Sequence, residues 1–223
     1  EMTMKEVNSY GWKAVIGSSI GYAMDGFDLL ILGFMLSLIS GDLGLTTGQA
    51  GSLVTWTLVG AVIGGFIFGT LSDKFGRVRV LTWTIVLFAV FTGLCAFAQG
   101  YWDLLIYRTI AGIGLGGEFG IGMALAAEAW PAQHRAKATS YVAIGWQLGV
   151  LAAALLTPVL LPYIGWRGMF MVGIIPAFVA WFFRAKLHEP EIFVQSKEIK
   201  EHSHTNSFKL LVKDVRTTKT SIG

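Results

Sequence analysis

The chain has 223 residues, 54% of them hydrophobic and 14% charged, with 28 glycines and one cysteine. Soluble domains average about 25% charged residues and about 7% glycine, so this balance excludes a disordered segment, a disulfide framework and most soluble enzymes. The formal net charge of +3 would suit nucleic acid only if the basic residues formed a patch, and they flank apolar runs instead.

Six apolar runs follow in chain order, at residues 14–40, 50–71, 78–98, 104–127, 139–161 and 166–183. Each approaches or exceeds the about 20 helical residues that cross a hydrocarbon core of about 30 Å. The expected fold is an all-α membrane protein with six transmembrane helices in a domain 1–187, followed by a cytoplasmic tail, 188–223. The first run is too long for a cleaved signal peptide and carries Asp25 and Asp28 where an apolar stretch belongs. The opening Glu1-Met2 points to an added or missing residue ahead of Met2.

Lys5 and Lys13 precede the first run, Lys74, Arg77 and Arg79 follow the second, and Arg135 and Lys137 follow the fourth. Arg184 and the basic residues after it follow the sixth. Only Arg167 falls on the other side, and Arg108 sits inside a run. This positive-inside bias places both termini in the cytoplasm, as expected of a multi-pass protein of the inner (plasma) membrane. In the tail, Phe208, Leu211, Val212 and Val215 recur at helical spacing beside Lys209, Lys213 and Arg216. The pattern fits a basic amphipathic helix on the membrane surface or a solvated turn. Cys95 lies in an apolar run and reads as a small buried residue.

Gly76-Arg77 after the second run and Gly165-Trp166-Arg167 after the fifth stand 89 residues apart with three runs between them. That offset suggests two inverted three-helix repeats, a construction common among secondary transporters. Small residues recur at four-residue spacing, among them Gly17/Gly21, Gly60/Gly64, Gly112/Gly116 and Gly145/Gly149, where they let helices approach closely in lipid. Pro158 and Pro176 lie within runs and are expected to bend them. Gly112-x-Gly114-x-x-Gly117 matches the dinucleotide fingerprint in letters, but no strand precedes it.

Charges inside a membrane span are costly and mark function by default. Four stand inside the runs: Asp25 and Asp28 in the first, Arg108 and Glu118 in the fourth. Asp25 and Asp28 share a helical face with Tyr22 and Ser18. The expected arrangement is a polar cavity between the first and fourth helices, where one carboxylate gains and loses a proton. A static buried ion pair is the structural alternative. Tyr22, Phe27, Trp146 and Gln147 are candidate cavity residues. At the cytoplasmic exit of the second run stands Gly69-Thr-Leu-Ser-Asp73-Lys-Phe-Gly76-Arg77-Val-Arg79. Gly76 permits a tight turn and Asp73 and Arg77 can pair. Glu128, Arg135, Glu189 and Glu191 offer partners in other cytoplasmic loops, so these charges can latch one conformation shut.

That segment resembles the loop signature of the major facilitator superfamily, G-x-L-x-D-x-x-G-R-x-R/K, with Gly69, Leu71, Asp73, Gly76, Arg77 and Arg79 in register. Arg108-Thr-Ile-Ala-Gly-Ile-Gly-Leu-Gly resembles its fourth-helix signature. Asp25-Gly-Phe-Asp28 and Gly116-Gly117-Glu118-Phe119 are similar to the proton-coupled organic-acid branch, which includes aromatic-acid, sialate and metabolite:proton symporters. The resemblance implies a twelve-helix fold of which this chain holds the amino-terminal half. It further implies that Asp25 and Asp28 are proton or substrate residues, Arg108 their partner, and Asp73 and Arg77 the latch.

The expected function is symport of a small organic anion by alternating access, with no cofactor beyond the proton gradient. The expected partners are the lipid bilayer and a missing carboxy-terminal half, or a second copy in a homodimer. The alternative is an isolated half or assembly subunit that binds without transporting alone. No nucleophile–base pair stands out for an enzyme. His134, His188, His202 and His204 read as solvated, and His202-x-His204 lacks further ligands for a metal.

Overall fold

The computed structural model describes residues 9–188 and 194–195. The chain divides into two units, 1–188 and 189–223. The amphipathic stretch after Asn206, with Glu189, Glu191, His202 and His204, lies outside the described residues.

Four helices come first: α1 (Ser9–Leu43), α2 (Thr47–Phe75), α3 (Arg77–Cys95) and α4 (Tyr101–Glu128). They overrun several of the apolar runs, because helical hydrogen bonding continues past the edge of the hydrocarbon. Thr46 starts α2 with a capping box: its hydroxyl accepts from the Gln49 amide at 3.2 Å and its own amide donates to Gln49 Oε1 at 3.0 Å. A short turn, Ala132–His134, leads into a continuous run, Arg135–Arg184. That run breaks at Gly165, whose φ of 66° and ψ of 179° are not helical, into α5 (135–164) and α6 (166–184).

Packing along α1 shows that α5 and α6 cross in opposite directions. Gly145 and Gly149 of α5 lie on Ser19 and Ala23, and Trp166, at the start of α6, bonds to Asp42. Gly173 then meets Ile31, and Arg184 meets Gly17. Among the described residues the chain thus makes six crossings. The prolines Pro158, Pro162 and Pro176 stay within helical backbone, so the turn falls at the glycine and not at a proline. Gly76, between α2 and α3, likewise has a positive φ of 111°. The two Gly-Arg turns therefore mark the same joint, second to third and fifth to sixth helix, on opposite faces of the bundle. That is the geometry of two inverted three-helix repeats.

Glycine sets the helix contacts. A Cβ at Gly60 or Gly64 would strike the backbone of Thr109 or Ile113, and one at Gly112 or Gly116 would strike that of Thr57 or Ala61. The paired stripes let α2 and α4 touch main chain to main chain, which in lipid replaces hydrophobic driving force with close packing. Gly114 and Gly117 face Thr84, Phe88 and Phe68 on the other side of α4. The fingerprint-like glycines are thus a two-sided packing surface. Gly69 and Gly120, also in the four-residue series, have open space where a Cβ would go.

Polarity is arranged for lipid. Phe66, Val62, Trp102, Leu155, Val159 and Phe178 are exposed, while Asp25, Asp28, Arg108, Glu118 and Arg184 are buried. The long apolar helices and this outward apolar surface make the chain a multi-pass membrane protein.

Candidate functional site

Arg108 projects from α4 onto α1 and binds Asp28 with both arms, Nη1 to Oδ1 at 3.0 Å and Nη2 to Oδ2 at 2.6 Å. Both side chains are at most 1% exposed. The Arg108 Nε reaches Thr57 of α2 at 3.4 Å, and the guanidinium lies 5.7 Å from the centre of the Phe170 ring of α6. Two parallel N–H···O bonds to one carboxylate are the strongest form of such a contact. Four helices meet on this one cation.

Glu118, ten residues further along α4, takes a different partner. Arg184 of α6 donates from Nη1 to Oε2 at 3.0 Å and from Nη2 to Oε1. Its Nη2 also donates to the carbonyl of Gly17 at 3.3 Å, and Thr84 of α3 donates to Glu118 Oε2 at 3.5 Å. Arg184 follows the last apolar run by one residue and reads in the sequence as a cytoplasmic flank. It is instead 1% exposed, a fifth buried charge. Its burial follows from the return of α6 along α1, where Gly17 and Gly21 leave room for it.

The two fourth-helix charges therefore do not open onto one polar cavity between the first and fourth helices. Asp25 belongs to neither pair: it is fully buried, and neither carboxylate oxygen has a hydrogen-bond partner. Tyr22, on the same face, is buried and donates its hydroxyl to the Phe119 carbonyl at 2.7 Å. Its ring stacks on Phe119 at 4.8 Å, and Phe119 meets Trp146 edge-on at 6.4 Å. Phe119 and Trp146 line an open groove of about 590 Å³ with Leu29 of α1, Ala61 and Gly65 of α2, and Leu115 of α4. The groove wall is apolar and carries none of the buried charges. Gln147 is exposed and not part of this lining, because its neighbour Trp146 takes the inward position on α5.

At the end of the bundle where α2 passes into α3, Arg77 joins three elements. Its Nη1 lies 2.7 Å from Asp73 Oδ1 and 2.6 Å from the Ser72 hydroxyl, and its Nη2 lies 3.1 Å from Glu128 Oε1. Gly76, with its positive φ, turns the chain so that Arg77 starts α3 facing the end of α4. Arg135 is exposed and forms no ion pair among the described residues; Glu128 is taken by Arg77 instead. Gly69 contributes its carbonyl, which accepts from Ser72 at 2.8 Å. At the opposite end of the bundle, the other Gly-Arg turn repeats the theme. Arg167 donates to the carbonyls of Ala96 and Ala98 at 3.0 and 2.7 Å and stacks over Trp166, which donates to Asp42 at 3.0 Å.

The family model described as Major Facilitator Superfamily matches residues 18–221. The chain belongs to the major facilitator superfamily. A Haemophilus influenzae protein named for metabolite transport is 76% identical over all of this chain and 56% of its own length. The sialic acid transporter NanX of Escherichia coli is 33% identical, over 86% of this chain and 48% of its own. The cis,cis-muconate transport protein of Acinetobacter baylyi is also 33% identical, over 94% of this chain and 52% of its own. Each is named for transport and none for an enzymatic reaction. The chain spans about half the length of the curated relatives it matches.

Among solved structures, the xylose transporter XylE of Escherichia coli in a partially occluded inward-open conformation superposes with a TM-score of 0.76. It is 23% identical, over 92% of this chain and 54% of that one. That likeness places the six helices as half of a major facilitator fold and carries the fold alone.

Proposed function

We propose that these six helices form one half of a proton-coupled symporter for a small organic anion, working by alternating access against a second six-helix unit. The observation that carries the reading is the set of five charged side chains held inside membrane spans, two carboxylate–guanidinium pairs and one unpaired acid. Charges at that depth are retained where ions or protons are handled. The names of the relatives support an acid as substrate, since sialic acid and cis,cis-muconate are both carboxylates. The aromatic groove wall of Phe119 and Trp146 suits a flat or conjugated body. Tyr22 holds Phe119 by a hydrogen bond to its carbonyl and by ring stacking, and Gln147 is exposed on α5 as a further polar group for the substrate. Asp25, Asp28, Arg108 and Glu118 then make the proton and substrate group. Arg77, Asp73 and Glu128, set by Gly69 and Gly76, make the latch on the cytoplasmic face, with Arg135 available to it from the next loop. No cofactor is required, because the proton gradient supplies the work.

The basic flanks support a place in the inner (plasma) membrane with both termini in the cytoplasm. The second unit is a carboxy-terminal half like that of the longer relatives, with a second copy of this chain as the other arrangement that completes the fold.

The test is electrical. The protein as the cell makes it is placed in liposomes, and charge movement is recorded while a panel of carboxylates is added across a proton gradient. A current specific to one acid, lost in Asp28→Asn, supports the symporter. Uptake that is indifferent to the proton gradient refutes the coupling, and binding without flux from folded protein favours an assembly subunit.

A further inference from the structure

The Gly165 turn makes more contacts than a bend requires. Arg77, at the start of α3, reaches Glu128, which ends α4. Its counterpart Arg167, at the start of α6, stands 4.0 Å from Asp42, near the end of α1. The third helix of each repeat therefore meets the acid that closes the first helix of the other. The two joints differ in which contact is strong. Asp42 is 57% exposed and Arg167 39%, and a long ion pair in that setting contributes little. The short bond runs instead from the buried Trp166 indole to Asp42 Oδ2, at 3.0 Å. Arg167 spends Nη1 on the carbonyls of Ala96 and Ala98, where the dipole of α3 favours a cation.

Both contacts lead inward to Arg108. Trp166 and Phe170 share one face of α6, with their rings edge to face at 6.0 Å. Phe170 in turn lies 5.7 Å from the Arg108 guanidinium. On the other route, Cys95 directly precedes Ala96, is fully buried and stands within electrostatic reach of Arg108. Cys95, Trp166 and Phe170 pack in one apolar cluster with Phe27, the neighbour of Asp28 in the chain. The contacts thus leave α1 at Asp42, pass through Trp166, Phe170 and Arg108, and return to α1 at Asp28.

We propose that Trp166 and Arg167, held at Asp42, are positioning residues that set the Arg108 guanidinium against Asp28. The inference rests on the reading of that pair as part of the transport site and adds what aligns it. A forked pair is strong only while both N–H···O bonds stay straight and in one plane. The guanidinium therefore needs fixed neighbours on its remaining sides. Thr57 meets Nε, and its own hydroxyl is tied to α2 through the Leu53 carbonyl. Phe170 covers the face but has no polar group to fix it. It takes its place from Trp166, whose indole N–H supplies the directional bond on that route. Close packing transmits small shifts, so losing the bond to Asp42 tilts the start of α6, moves the Phe170 ring and skews the pair.

A double-variant cycle on the protein as the cell makes it tests the connection without any substrate. Asp42→Ala removes the acceptor of the indole N–H, and Asp28→Asn breaks the pair itself. Acting through Arg108, Asp42→Ala is expected to shift the denaturation midpoint less in the Asp28→Asn background than in the parent. A contact that only staples helix ends shifts it equally in both, and that additivity overturns the proposal. Trp166→Phe keeps a ring against Phe170, loses the N–H, and repeats the cycle should Asp42→Ala not fold. Asp42→Asn keeps an oxygen for the indole and is expected to match the parent; a loss equal to that of Asp42→Ala overturns the Trp166 link. Arg167→Gln is expected to speed the reaction of Cys95 with N-ethylmaleimide, located by peptide mass spectrometry, because the end of α3 loses its tie. An unchanged rate overturns the role of Arg167. With the carboxylate that carries current in liposomes, Asp42→Ala is expected to raise the half-saturating concentration on the order of tenfold while maximal current is kept. An unchanged value overturns the positioning. Coupling in the cycle from protein that carries no current with any carboxylate refutes the symport reading and leaves the positioning of Arg108 standing.

Discussion

Replacing Asp28 by asparagine removes a charge and preserves a shape, so its cost isolates the Arg108 pair. The Arg108 guanidinium is fully buried and donates hydrogen bonds at 3.0 and 2.6 Å to the two Asp28 oxygens. Asparagine returns one acceptor and turns an N–H toward an N–H at the other, and it leaves a buried cation uncompensated. Breaking a buried pair from one side costs about 3–5 kcal/mol, against a total stability of about 5–15 kcal/mol for a typical domain. Arg108→Gln alone strands Asp28 and is expected to cost a similar amount. The double variant replaces the ion pair with two amides that bond to each other, and its cost is expected to fall to about 1–2 kcal/mol, because exchanging the whole pair avoids the stranded charge. Stability read from tryptophan fluorescence during denaturing-detergent titration completes the cycle, with eight tryptophans as reporters. The refuting result is additivity: a double variant that costs the sum of its singles shows no coupling between the residues. A restored double variant should still fail to transport, since the charge is then absent from the site.

Two glycine substitutions separate packing from sequence pattern. Gly64→Ala pushes a methyl group into the main chain of Ile113, whose carbonyl carbon would lie 2.6 Å away, and overpacking of that kind costs about 1–3 kcal/mol. Gly69→Ala meets nothing within 4 Å and should stay within about 0.5 kcal/mol of the parent; equal costs in the same detergent titration would refute the α2–α4 contact. Gly165→Ala also meets open space, but its φ of 66° carries a backbone penalty of about 1–2 kcal/mol. Thermal unfolding that shows no loss would mean that α5 and α6 do not turn there.

Much of the architecture is legible along the chain because the membrane reduces it to a one-dimensional question of apolar length. Six runs long enough to span, glycines at four-residue steps and basic residues between alternate runs need no knowledge of what touches what. The Asp73–Arg77 contact is also local, four residues apart on one turn, and its Gly76 hinge is visible beside it. Pairings across the bundle are different in kind. Asp28 and Arg108 stand 80 positions apart and Glu118 and Arg184 stand 66 apart, and the sequence holds several charges of each sign for every such match.

Arg184 shows why tertiary structure had to decide. One residue beyond an apolar run, it has the address of a cytoplasmic flank, and only the return of α6 along the Gly17–Gly21 face carries it inside. Glu128 and Arg135 both stand in the sequence as latch charges of the next loop, yet the Gly76 turn aims Arg77 at Glu128 and leaves Arg135 exposed. The apolar pattern alone determined that the chain crosses a membrane six times, since burial in lipid depends on each segment's own composition. Which charge faces which, and which acid is left without a partner, depends on how the helices rotate and cross, and that is settled by backbone-to-backbone packing at glycines far apart in the chain.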